Sequence, residues 1–109
     1  MNLVAVVTTV ATRDDARSLA DAMVRRGLAA CAQISAIESV FRWQGEVQAE
    51  SEFRIVFKTT AERYGDIEQA LLELHPYELP EIHAVALDRV HAPYAAWVGA
   101  HSVGGPQVP

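Results

Sequence analysis

A chain of 109 residues has room for one core and no second domain. Half of it is hydrophobic and 21% is charged, so it can bury a core without disulfides and does not have the composition of a disordered segment. A net charge of -5 with 9 Lys+Arg gives no footprint for nucleic acid or an anionic membrane surface. One cysteine excludes an internal disulfide framework and a zinc site of several thiolates, and a reducing cytoplasm is the expected compartment.

The amino-terminal stretch lacks the basic start and long apolar core of a signal peptide, and no run approaches a membrane span. Leu3 to Thr9 is short and valine-rich, which predicts a buried strand. Thr12 followed by Arg13, Asp14 and Asp15 reads as a helix cap with acids in the first turn. Ala16, Leu19, Ala20, Met23 and Val24 recur at helical spacing, and Gly27 follows Arg25 and Arg26 as a stop. The first helix is therefore about Arg13 to Arg26.

Leu28 to Trp43 contains neither Gly nor Pro and becomes rich in β-formers, with Gln44-Gly45 as a turn. Beyond it, Val47, Ala49, Phe53, Ile55 and Phe57 alternate with Gln48, Glu50, Glu52, Arg54 and Lys58. That period of two predicts a strand with its odd-numbered face on a core and its even-numbered face polar, where Glu52 and Lys58 are expected to make cross-strand ion pairs. Together these runs predict a long hairpin.

Thr60 and Glu62 open a second helix with the stripe Tyr64, Ile67, Ala70, Leu71 and Leu74, and His75-Pro76 ends it. Ile82 to Leu87 is a fourth strand, and Pro93 starts a short helix carrying Tyr94, Ala95, Trp97 and Val98. Residues 1–103 form one domain, and 104–109 read as a disordered tail. The order βαββαβ plus a terminal helix is an α+β, ferredoxin-like arrangement with an extended hairpin, a superfold that fixes no function.

The hairpin arms exceed what a helix of ~13 residues can cover, since ~20 Å of helix matches a strand of only ~6 residues. The uncovered part carries Phe41, Trp43 and Val47, and an isolated apolar hairpin is marginal in water. Those three residues are the expected subunit interface, and the chain is expected to be an oligomer.

The loop His75-Pro76-Tyr77-Glu78-Leu79-Pro80-Glu81-Ile82 is stiffened by two prolines and presents an imidazole, a phenol and carboxylates. It could hold a metal or a small polar ligand, or be a connector whose polar groups satisfy one another. Cys31 has no basic neighbour in sequence and reads as a buried inert thiol. His83, His91 and His101 lack metal-ligand spacing, and no phosphate loop or nucleophile elbow is present.

Leu28-Ala29-Ala30-Cys31, Trp43-Gln44-Gly45-Glu46, the strand Glu52 to Lys58-Thr59, the HPYELPEI loop and Tyr94-Ala95-Ala96-Trp97 resemble, in order and spacing, the CutA family of divalent-cation tolerance proteins. The resemblance covers nearly all of residues 3–101. It implies a ferredoxin-like fold, a compact homotrimer, and kinship with PII signalling proteins, which bind small effectors in clefts between subunits. Some family members carry a cysteine on the first strand and a doubled histidine before Pro-Tyr, proposed as copper ligands. Here Thr8 and Leu74 stand at two of those places, and only His75 remains.

The resulting expectation is a non-enzymatic, PII-like homotrimer linked to metal-ion response, with a small ligand or a divalent cation such as copper at its clefts. Thr8, Glu52 and Lys58 would capture polar groups, Trp43 and Tyr77 would shape the site, and Glu78 would add a carboxylate. His75 would coordinate a metal or hydrogen-bond the ligand. The alternatives are a direct copper-binding protein using His75 with carboxylates, and a small hydrolase on the same fold.

Overall fold

The computed structural model describes residues 2–103, so the expected tail at 104–109 lies outside the described residues. The elements are β1 (Leu3–Val10), α1 (Arg13–Arg25), β2 (Cys31–Trp43), β3 (Glu46–Thr60), a 3-10 turn (Ala61–Arg63), α2 (Tyr64–Leu74), β4 (Ile82–Leu87) and α3 (Ala92–Ala100). The sheet is antiparallel in the order β2-β3-β1-β4, the ferredoxin-like topology that the element order predicts. α1 begins where the sequence places it, because the Thr12 side chain accepts from the Asp15 amide at 3.1 Å. Gly27 has φ 69°, the left-handed conformation that ends a helix at least cost with glycine. The hairpin turn puts both Gln44 (φ 51°) and Gly45 (φ 81°) in that region, matching the primed turns that follow strand twist.

One face of the sheet packs Val4, Val6, Val10, Ile55 and Phe57 against Ala16, Leu19 and Met23 of α1 and Ile67, Ala70 and Leu71 of α2. The other face receives only α3, whose Val98 packs with Leu3 and Ala30, flanked by Leu87 and Tyr94. Leu74, expected in the apolar stripe of α2, is instead 42% exposed at the helix end.

β1 sets the extent of this packed body. It pairs with β3 only from Phe53 to Thr60, whereas β2 pairs with β3 along the whole length from Cys31 to Trp43. Ile37–Trp43 and Glu46–Glu52 therefore run on as a two-stranded arm beyond the sheet. The uniform alternation of β3 does not give a uniformly buried face. Phe57 is 0% exposed in the cluster with α1 and α2, yet Val47 on the same face is 64% exposed, outside that cluster and beyond the end of β1.

Candidate functional site: a cleft between the hairpin arm and the α2–β4 loop

The loop from His75 to Glu81 passes the end of β1, where the hairpin arm departs. Between them lies a cleft of about 800 Å³. On the arm it is lined by Phe41, Trp43, Gln48, Glu50 and Glu52, which share one face through the pairs Phe41↔Gln48, Trp43↔Glu46 and Ile37↔Glu52. On the loop it is lined by Pro76, Tyr77, Glu78, Leu79 and Glu81. The lining is aromatic and acidic, and it includes no Lys or Arg.

Two hydrogen-bonded clamps hold the loop. α2 stops at His75, whose backbone turns to ψ 134° as the residue before proline must. Its ring then reaches β1, with Nε2 at 3.0 Å from Thr8 Oγ1 and 2.9 Å from the Thr9 carbonyl oxygen. The Tyr77 amide donates to His75 Nδ1 at 3.1 Å, and the two rings lie 5.0 Å apart. Tyr77 then donates its phenol to Glu52 Oε2 at 2.5 Å. A short charge-assisted bond of this kind is among the stronger polar contacts available to a protein.

Burial pushes the His75 pKa below the ordinary imidazole value, opposed by its bond to the Thr9 carbonyl and by the charges of Asp15 and Glu52. Burial also raises the Tyr77 phenol, and donation to Glu52 raises it further. Both residues are thus held neutral at pH 7.

Thr8, His75, Tyr77 and Glu52 are brought together as one chain of contacts, of which Tyr77 and Glu52 line the cleft with Trp43 and Glu78, while Thr8 and His75 stand behind it. Lys58 lies outside it and donates to Gln33 at 2.9 Å across the sheet. The expected ion pairs of Glu52 and Lys58 do not form among the described residues. Glu52 is only 8% exposed on the supposedly solvated face, because Tyr77 covers it. Phe41 and Trp43 share the cleft face, while Val47, paired with Arg42, is on the opposite face of the arm.

Cys31 is partly exposed rather than buried, and its Sγ lies 3.5 Å from the Tyr94 hydroxyl. That hydrogen bond, with burial, pushes the Tyr94 phenol up to about 12. The Cys31–Tyr94 contact joins β2 to α3, 63 residues apart in sequence, so no local pattern announced it. Glu81 lines the cleft as one of the two carboxylates that the loop presents, and Glu50 is the cleft carboxylate that sequence reasoning left out. The period of two already put Glu50 on the face of Glu52, but only the folded loop shows that this face is walled in.

Residues 4–101 match the family model described as CutA1 divalent ion tolerance protein. The divalent-cation tolerance protein CutA of Thermus thermophilus is 36% identical over 94 residues, which are 85% of this chain and 91% of that one. CutA of Synechococcus elongatus superimposes with a TM-score of 0.90 at 39% identity, covering 93% of this chain and 90% of that one. The protein named periplasmic divalent cation tolerance protein CutA of Archaeoglobus fulgidus gives 0.90 at 26% identity, covering 92% and 98%. Motifs, fold and near full-length matches agree, and the chain belongs to the CutA1 divalent ion tolerance family.

Proposed function

We propose that this divalent-cation tolerance protein is a non-enzymatic, PII-like homotrimer that takes a small ligand or a divalent ion in clefts between subunits. The observation that carries the reading is the bare hairpin arm. It exposes Phe41 to 38%, Trp43 to 40% and Val47 to 64%, and none of the three joins the apolar clusters that the helices form with the sheet. A closed ring in which each arm lies on a neighbour would bury these side chains and leave no arm unpaired. It would also turn the one-sided cleft into an enclosed one. The cytoplasm is the compartment proposed with this reading, on the single cysteine, and cell fractionation tests it.

Native mass spectrometry of freshly purified protein tests assembly and ligand together. The expected result is one species at three times the 11.9 kDa chain mass, with any retained ligand visible as added mass. A stable monomer or dimer at micromolar concentration would remove the proposal. Copper binding is expected to be weak, since carboxylates suit harder ions than copper. Tight stoichiometric Cu(II) uptake that disappears in His75→Ala would replace this reading with direct copper binding.

A further inference from the structure

We propose that His75 is a positioning residue and not a metal ligand: its ring, fixed as one neutral tautomer between β1 and the loop, sets Tyr77 over Glu52 at the point where the hairpin arm leaves the sheet. The tautomer follows from the partners. Nδ1 receives the Tyr77 N–H at 3.1 Å, so Nδ1 is unprotonated and its lone pair is engaged. The proton is therefore on Nε2, which faces the Thr9 carbonyl at 2.9 Å, a group that can only accept. The Thr8 hydroxyl oxygen at 3.0 Å shares the same N–H.

A metal ion needs a free imidazole lone pair, and this ring offers none. Ligation would cost either the bond to the Tyr77 amide or the proton directed at Thr9. Thr8 is fully buried and Thr9 is 6% exposed, so the β1 end of the clamp is out of solvent.

The other end of the contact chain has a defined place in the topology. Phe53 is the last β3 residue paired to β1, opposite Val10, and Glu52 is the first residue of the free arm. The Tyr77–Glu52 bond therefore ties the loop to the root of the arm, and His75 fixes the backbone from which Tyr77 reaches it. This inference goes beyond the assembly and ligand reading, and it holds whether or not the cleft takes a ligand.

Protein carrying ¹⁵N-labelled histidine, examined by long-range ¹H–¹⁵N correlation at neutral pH, tests the inference on the wild type. The His75 signals are identified by their loss in His75→Gln. The expected result is an unprotonated Nδ1 and a protonated Nε2, both unmoved by equimolar Zn(II). The opposite tautomer, or a shift of either His75 nitrogen with Zn(II), overturns the proposal.

Two half-substitutions then separate positioning from general packing. Asn at this position keeps an acceptor where Nδ1 sits, and Gln keeps a donor where Nε2 sits. Hydrogen exchange of the Tyr77 amide should change less than about twofold in His75→Asn and speed up about fivefold in His75→Gln, the worth of one hydrogen bond. Equal acceleration in both variants overturns the positioning role. If neither variant folds, the His75 signals are identified as those that survive in His83→Gln, His91→Gln and His101→Gln, and the wild-type tautomer and its response to Zn(II) still decide.

Discussion

The two ends of β3 obey one alternation and meet opposite fates. Val47 and Phe57 lie on the same face of one strand, one 64% exposed and the other 0%. The Phe57 end is paired to β1 and covered by α1 and α2, while the Val47 end is paired only to β2. Alternation therefore encodes which side chains share a face but not what covers that face. Cover depends on where the neighbouring strand stops, and β1 stops at Val10. The free end is the part of the chain that stays exposed, paired only to β2.

The largest effect should come from the covered end. Phe57→Ala removes a fully buried ring between two helices and should destabilise the protein by about 3–5 kcal/mol. Urea unfolding at fixed protein concentration measures it. Val47→Ala, on the same face, should shift subunit stability by less than ~0.5 kcal/mol where nothing covers it. Similar losses at both positions in a monomeric variant would erase the contrast between the two ends.

Trp43→Ala comes next. If the arm is seated on a neighbour, a large aromatic there should contribute on the order of 2 kcal/mol per interface. Sedimentation velocity at falling concentration should show earlier dissociation, together with a lower Tm that depends on concentration. A trimer indifferent to Trp43→Ala would move the anchor elsewhere on the arm.

The covered half was readable because its determinants are local. Thr12 caps α1 by a bond to a residue three positions on, Gly27 takes φ 69°, and Pro76 forces His75 out of the helix. Strand parity put Phe53, Ile55 and Phe57 together for the same reason. The site was readable only in part. Thr8, His75, Tyr77 and Glu52 are all legible in the sequence, but parity alone puts Glu52 and Lys58 alike on a polar face, each expected to form an ion pair with another strand. Their separation comes from a partner 25 residues away, Tyr77, which covers Glu52 and leaves Lys58 to Gln33. The Cys31–Tyr94 contact spans 63 residues and left no periodic trace.

A smaller effect tests the helix layer that distinguishes the covered half. Thr12→Ala removes the cap of α1, leaving the Asp15 amide without its partner, and should cost about 1 kcal/mol. Because α1 packs on the covered half, the loss should appear in unfolding of the chain and leave the proposed assembly through the arm unchanged. A change in subunit number with unchanged subunit stability would mean that α1 also supports the arm.

The smallest effect lies at the junction of the two halves, where His75 meets both β1 and the loop. Burial lowers the folded-state pKa of His75 relative to the ordinary value of about 6.5 in the unfolded chain. Between those two values the unfolded state binds more protons, so stability rises with pH across that window. The contribution is fully present above about pH 6.5 and is lost as pH falls through the window toward the folded value. The bond to the Thr9 carbonyl and the charges of Asp15 and Glu52 favour the protonated ring, which narrows the window without reversing its sign. Protonation would also turn Nδ1 into a donor facing the Tyr77 amide, so acid should loosen the loop before it unfolds the covered half. Tm followed from roughly pH 7 to pH 5 should fall less steeply in His75→Gln than in the wild type, because the variant has no group to titrate there. Identical slopes would show that His75 keeps its ordinary proton affinity in the folded state, and that the junction is no more sensitive to acid than the two halves it joins.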